Sequence, residues 1–401
     1  MLGTSFPPWP SYTEEEISAV SSVLRSNRVN YWTGTEARSF EAEFAEYVGS
    51  EYGVALANGT LALDLALRGL GIGEGDEVVV TPRTFIASVS AVVGAGATPV
   101  FADVDRDTQN LSASTIEAVL TPSTKAIVVV HLAGMPADMD PIMALAGRHG
   151  LKVIEDCAQA HGARYRGKSV GSIGDVAAWS FCQDKIMSTG GEGGMVTTND
   201  EELWRRMWEY KDHGKSWKAV YEDEHPPGFR WLHQSIGTNW RMCEMQAALG
   251  RIQISRMPQW QKQRRMNAER IWETCERVDW LRVPRVPDHI EHAAYKAYVF
   301  VERDALPAGW TRDDVVTALV EDGIPTYQGS CSEVYLERAF DEIGCRPAAP
   351  LPVARELGEN SLMFLVHPTL EKRHIDATCT AIETLARQIE DGALKPAVGC
   401  E

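Results

Sequence analysis

The stretch VIEDCAQAHGARYRGKSVGSIGDVAAWSFCQDKIMSTGGEGGMV, Val153 to Val196, holds the residues with the most to offer chemically. Asp156 follows an apolar run that reads as a strand, and open α/β sheets place ligands at the carboxyl ends of their strands. Alternate side chains of a strand face opposite ways, so Glu155 and Asp156 cannot both reach one ligand. A carboxylate at such an end is more often a turn former or a helix cap, so Asp156 gains weight only from its neighbours. Lys185 lies between the β-rich run ending Ser180-Phe181 and the cluster Gly190-Gly191-Glu192-Gly193-Gly194. A lysine amine condenses with an aldehyde only when deprotonated, and burial lowers its pKa enough to permit this. Glycines beside it let backbone approach a ligand closely, which separates Lys185 from an ordinary solvated charge.

Two further motifs compete for a phosphate. Gly162-Ala163-Arg164-Tyr165-Arg166-Gly167-Lys168-Ser169 matches the P-loop pattern GxxxxGK[ST] letter for letter. A P-loop opens a helix directly after Lys-Ser, whereas Val170-Gly171-Ser172-Ile173-Gly174-Asp175 cannot continue as one, and the Arg-Tyr-Arg interior suits a strand. Asn58-Gly59-Thr60 precedes a helical stretch, so its amides and the Thr60 hydroxyl form an anion site, although a plain N-cap explains the same residues. The pair His289 and His292, with Glu291 between them, is the one local cluster of metal-ligand types, and no third ligand at usable spacing completes the pair; no metal is predicted.

The elements that must position these groups alternate along the chain. Short β-rich runs at Glu77–Thr81, Thr98–Val104, Ala126–His131 and Leu151–Glu155 are separated by helical stretches at Leu61–Leu70, Phe85–Gly94, Thr115–Leu120 and Asp138–His149. That alternation predicts a doubly wound α/β unit with a mostly parallel sheet flanked by helices. Residues 200–282 read as helical, with Met245, Leu249, Ile252 and Met257 near the helical period, and with Pro284 and Pro287 as the break. Tyr295–Glu302 then reads as a strand, Arg312–Glu321 as a helix and 341–360 as a long connection. The division predicted is a large α/β domain over 12–258 and a small C-terminal α+β domain over 259–401, with segment 1–11 packed nearby.

Composition limits the partners. A formal charge of −17 over 401 residues argues against a nucleic-acid surface, which requires clustered Lys and Arg. Met1–Pro10 lacks a basic stretch followed by an apolar one, and no apolar run approaches the roughly 18 residues of a membrane span, so a cytoplasmic protein is expected. Eight cysteines without a CxxC pair suggest reduced thiols.

The pieces, in their order, closely resemble the DegT family of sugar aminotransferases, which are fold-type-I pyridoxal-phosphate enzymes. The likeness runs through Phe40-Glu41, Asn58-Gly59-Thr60-Leu61-Ala62-Leu63, Gly75-Asp76-Glu77-Val78, Thr84-Phe85, Val130-His131-Leu132-Ala133-Gly134 and Glu155-Asp156-Cys157-Ala158-Gln159-Ala160. It continues through Ser180-Phe181, Lys185, Gly191-Glu192-Gly193-Gly194, His213-Gly214, Gly237-Thr238-Asn239-Trp240-Arg241-Met242 and Gln246-Ala247-Ala248, covering about residues 12 to 390.

The resemblance implies that Lys185 carries pyridoxal 5'-phosphate, that Asp156 contacts its pyridinium nitrogen and that Gln159 lies against its phenolic oxygen. Phe85 would stack on the ring, while Gly59, Thr60 and Ser180 would hold the phosphate. Asn239 of a neighbouring subunit would complete that phosphate site, which makes the expected enzyme a homodimer with its active site at the interface. L-glutamate is the implied amino donor, leaving pyridoxamine 5'-phosphate after the first half-reaction. The implied acceptor is a keto sugar, nucleotide-linked and 4-keto (or 3-keto) 6-deoxy, for surface-glycan, lipopolysaccharide or natural-product amino-sugar biosynthesis. A cyclitol ketone or aminoshikimate-type acceptor, or a catalytically silent cofactor-binding regulator, are the alternative readings. His213, Arg241 and Tyr327 are the candidate substrate contacts. Some relatives carry histidine in place of the lysine and act as dehydratases, which Lys185 argues against. Trp240 and Trp179 stand where the family often has Tyr and Phe.

Overall fold

The computed structural model of the chain describes residues 5–396; Cys400 and the first four residues of segment 1–11 lie outside it. Two helices, α1 (Glu14–Ser26) and α2 (Glu36–Val48), precede β1 (Tyr52–Leu56). Strand and helix then alternate through α3 (Gly59–Gly69), β2 (Glu77–Val80), α4 (Ala87–Gly94), β3 (Thr98–Phe101), α5 (Ala113–Glu117), β4 (Thr124–Val130), α6 (Met139–His149) and β5 (Lys152–Asp156). A hairpin, β6 (Arg164–Tyr165) with β7 (Lys168–Ser169), leads to β8 (Val176–Ser180) and β9 (Gly194–Thr198).

Seven of these strands form one sheet in the order β1-β9-β8-β5-β4-β2-β3. Pairing is parallel from β8 through β3, and β9 runs antiparallel to both β8 and β1. Val78 to Val80, Ala126 to Val130 and Val176 to Trp179 are all buried, as strands covered by helices on both faces require. Register sets Asp156 opposite Val130 on one side and Ala178 on the other, at the carboxyl edge of the sheet. All four predicted strands form there. The P-loop lookalike is the β6–β7 hairpin: Arg166 and Gly167 take positive φ values of 50° and 77°, the geometry of a tight turn between paired strands.

The chain continues through α7 (Glu201–Lys211), α8 (Trp217–Tyr221), α9 (Glu244–Cys275), β10 (Leu281–Arg282), β11 (Ile290–Glu291), β12 (Ala297–Val301), α10 (Arg312–Glu321), β13 (Thr326–Tyr327), α11 (Pro352–Asn360), β14 (Ser361–Phe364) and α12 (Lys372–Glu390). A second, antiparallel sheet has the order β10-β12-β14-β13 and its own core, which includes Val299, Leu362, Leu319 and Ile382. Strand β11 pairs with β6 instead.

Three expectations change. The span 200–282 is not continuously helical: Pro226, Pro227 and Gly228 interrupt it, and Trp240 is drawn into backbone pairing, its carbonyl accepting the Ala57 amide at 3.0 Å. Helix α9 passes through Pro258 and ends at Cys275, well before Pro284; Met257 joins the first core and Ile271 the second. The connection expected over 341–360 ends in α11. Its first turn is capped from a distance, because the Asp103 carboxylate accepts the amides of Val353 and Ala354 at 3.0 and 2.9 Å. A cap some 250 residues away leaves no local signal.

Candidate active site

Alternation along β5 separates two carboxylates, as the sequence requires. Glu155 turns inward, where His131 Nε2 lies 3.0 Å away and the amides of Gly171, Ile173 and Gly174 donate to it. Burial raises its pKa, and these partners overcome that and hold it below the usual carboxylate range. Cys157 lies near this pair, but His131 Nδ1 already accepts the Ala137 amide, so the cluster satisfies itself without a cation. Asp156 faces the other way, accepting the Ser88 hydroxyl on Oδ2 at 2.7 Å and the Ala158 amide on Oδ1 at 3.1 Å. Three residues on, Gln159 accepts the Ala133 amide through Oε1 at 2.8 Å. An N–H facing the amide oxygen leaves Gln159 Nε2 as the free donor of that side chain.

The start of α3 meets the end of β8. Asn58 caps the helix through the Leu61 amide at 3.0 Å, which leaves the amides of Gly59 and Thr60 in the free first turn. A Cβ on Gly59 would come within 2.5 Å of Ser180 Cβ, so only glycine lets the helix start against that hydroxyl. Free first-turn amides beside a hydroxyl are donors of the kind that can hold a phosphate dianion. The N-cap reading of Asn58-Gly59-Thr60 holds, and the cap uses only Asn58, so it does not occupy the Gly59 and Thr60 amides.

Lys185 is held from the opposite side. Its carbonyl accepts the Trp9 indole N–H at 2.7 Å, its amine lies 3.8 Å from Asp184 Oδ1, and its side chain is 15% exposed. Asp184 also accepts the Tyr295 hydroxyl. Burial would raise the Asp184 pKa, and Lys185 and Tyr295 bring it below the usual range. Trp9 packs edge-on against Trp260 and lies beneath the Arg264 guanidinium, so segment 5–13 straps the lysine loop to α9.

Of the remaining predicted residues, Phe85 stands 66% exposed just before α4. Asn239 is exposed and bridges Asp212 through backbone, next to Trp240, whose carbonyl accepts the Ala57 amide of the same chain. His213 is exposed with φ at 59°. Arg241 is committed to the buried Asp212, Nη1 to Oδ1 at 2.6 Å. Tyr327 lies exposed on β13 in the second sheet. Sequence reasoning missed Ser88, Thr84, Trp9 and Tyr295. The spacing Thr84-x-x-x-Ser88, one turn apart where α4 begins, was the one readable signal among them.

Residues 10–383 match the DegT/DnrJ/EryC1/StrS aminotransferase family. The chain belongs to that family. A solved aminotransferase from Psychrobacter cryohalolentis is 61% identical and superposes with a TM-score of 0.95, covering 96% of this chain and 100% of that one. DesV of S. venezuelae, solved in complex with a ketimine intermediate, is 36% identical with a TM-score of 0.82, covering 93% and 94%. The UDP-N-acetyl-3-dehydro-α-D-glucosamine 3-aminotransferase of Acidithiobacillus ferrooxidans is 38% identical over 374 residues, 92% of this chain and 93% of that protein. The chain is thus a pyridoxal-phosphate-dependent aminotransferase of the fold-type-I class. The residues present fit that cofactor. A carboxylate at a strand end, free helix-start amides beside the Ser180 hydroxyl, an amide donor and a lysine amine are the groups it calls for.

Proposed function

We propose that the enzyme moves the amino group of L-glutamate to a nucleotide-linked keto sugar, a 4-keto (or 3-keto) 6-deoxy sugar, for surface-glycan or natural-product amino-sugar biosynthesis. The observation that supports the reading is a largely buried lysine, Lys185, in a fold that sets Asp156 at the carboxyl edge of the sheet and Gly59 against Ser180, in a chain matched over 92% of its length by a relative named as a UDP-N-acetyl-3-dehydro-α-D-glucosamine 3-aminotransferase.

The cofactor supplies an electron sink for the carbon that loses its proton. Asp156 would hold the cofactor's ring nitrogen, and Ser88 fixes which way that carboxylate points. Gln159 would donate to the ring oxygen, and Gly59, Thr60 and Ser180 would hold the phosphate. Lys185 would carry the cofactor and would serve as the base, then the acid, that moves the substrate proton. Phe85 would stand against the cofactor ring. The two substrates use the site in turn, which gives ping-pong kinetics.

The enzyme acts as a homodimer. Phe229, Trp231 and Ile236 are 80, 81 and 92% exposed along one loop, a concentration of apolar surface that a second copy would cover. That loop leads directly to Asn239, which then reaches the partner's phosphate cradle. Function in the cytoplasm fits a small nucleotide-linked substrate. No helix among the described residues is long and apolar enough to cross a membrane.

A panel of UDP-, dTDP- and GDP-linked keto sugars with glutamate, read by product mass, tests the assignment. A gain of one amine on a nucleotide sugar supports it. Amination of cyclitol ketones alone overturns the sugar assignment.

A further inference from the structure

Lys296 has no part in the roles above, yet it stands beside Lys185. Its amine lies 4.9 Å from the centroid of the Tyr295 ring, and the Lys185 amine lies 5.4 Å from the same centroid, so the two are within about 10 Å of each other. Lys296 forms no ion pair or side-chain hydrogen bond among the described residues, and it is partly exposed. Asp184 is the single anion acting on it, against the cations Arg264 and Lys185, and Asp184 already faces Lys185 and the Tyr295 hydroxyl.

A second, incompletely paired cation is bonded to the Tyr295 backbone. Arg264 is buried, its Nη1 donates to the Tyr295 carbonyl at 3.3 Å, and its Nε and Nη2 have no partner among the described residues. Burial is the largest influence on Lys296; Asp184 opposes it, Arg264 and Lys185 reinforce it, and the amine is brought down to about 8. A desolvated ammonium among other cations is unfavourable unless an anion completes the group.

We propose that Lys296 receives a carboxylate of the amino donor, with Arg264 adding positive potential from beneath Tyr295. This rests on the amino-donor half of the proposed function. A donor carboxylate is attached to, or a few bonds from, the carbon whose proton Lys185 moves, which matches two amines set against one ring. The diphosphate of a nucleotide sugar is separated from its keto carbon by the width of the sugar.

The test uses the holoenzyme and glutarate, a dicarboxylate with no amino group to transfer, by titration calorimetry. Wild type should bind glutarate, Lys296→Met should bind it roughly tenfold or more weakly, and Lys296→Arg should stay within about threefold of wild type. The visible band of the lysine-bound cofactor should persist in both variants, and UDP should bind all three proteins alike. If Lys296→Met loses the band, Lys296→Gln replaces it. Absence of glutarate binding to wild type, equal glutarate binding by wild type and the neutral variant, or selective loss of UDP binding, overturns the inference. A separate titration with glutamate keeps the two readings apart. If glutamate fails to bleach the wild-type band, the donor assignment itself fails; if it bleaches wild type and the neutral variant at the same concentrations, only the role of Lys296 does.

Discussion

Ser88 Oγ donates to Asp156 Oδ2 at 2.7 Å from the first turn of α4, and Thr84 Oγ1 lies 2.8 Å behind it. Ser88 has one hydroxyl proton and directs it at the carboxylate, so Thr84 must be the donor in the second bond. The relay fixes the carboxylate through a loop and helix that also carry Phe85. Ser88→Ala should weaken pyridoxal phosphate binding about tenfold, since a hydrogen bond to a charged group is worth roughly 1.5–3 kcal/mol. Equilibrium titration of the apoenzyme checks this, beside a thermal melt that shows the variant folded.

Much of this arrangement was legible beforehand because it is local. Asp156 at a strand end, Lys185 before its glycines and the cap at Asn58 are read from neighbouring residues. What stayed hidden depends on distant partners: Trp9 reaching the Lys185 carbonyl, Asp103 capping α11, and Arg241 paired with a buried Asp212. Trp240, drawn beside β1, likewise undid the expectation of continuous helix over 200–282, because tertiary pairing overrides local periodicity.

Gly59→Ala should discriminate phosphate binding from ring binding. The added carbon would sit 2.5 Å from Ser180 Cβ and push the start of α3 off its cradle. Affinity for pyridoxal phosphate should fall about tenfold or more while affinity for unphosphorylated pyridoxal stays constant. Parallel loss of both ligands would place the damage elsewhere.

Stability should fall as pH drops, and His292 supplies part of the slope. Burial brings this imidazole down to about 3, and its Nδ1 accepts the Ala294 amide at 2.8 Å, so it is neutral in the fold. An unfolded histidine titrates near about 6.5. Below that pH the unfolded chain binds a proton that the folded chain refuses, so stability is lost as pH falls from about 6.5 toward about 3. Between about pH 7 and pH 5, His292 accounts for roughly 2 kcal/mol of that loss. Urea unfolding at both pH values should show a shallower slope for His292→Gln. His161 and His367, also brought down to about 3, keep the variant from being flat.

Ile236→Asp should separate the proposed dimer. A carboxylate at a position 92% exposed in the single chain changes little in the isolated fold, but it would be buried against a second copy. Sedimentation should show a dimer for wild type and a monomer for the variant, with cofactor retention falling alongside. A wild-type monomer at micromolar concentration would remove Asn239 from the neighbouring site.

The most direct measurement is the visible spectrum of wild type, Lys185→Ala and Lys168→Ala with pyridoxal phosphate, before and after glutamate. Wild type and Lys168→Ala should show the band of a lysine-bound cofactor and lose it on adding glutamate, while Lys185→Ala, folded by circular dichroism, should never show it. An unchanged band in Lys185→Ala, or its loss in a folded Lys168→Ala, would contradict the assignment of Lys185.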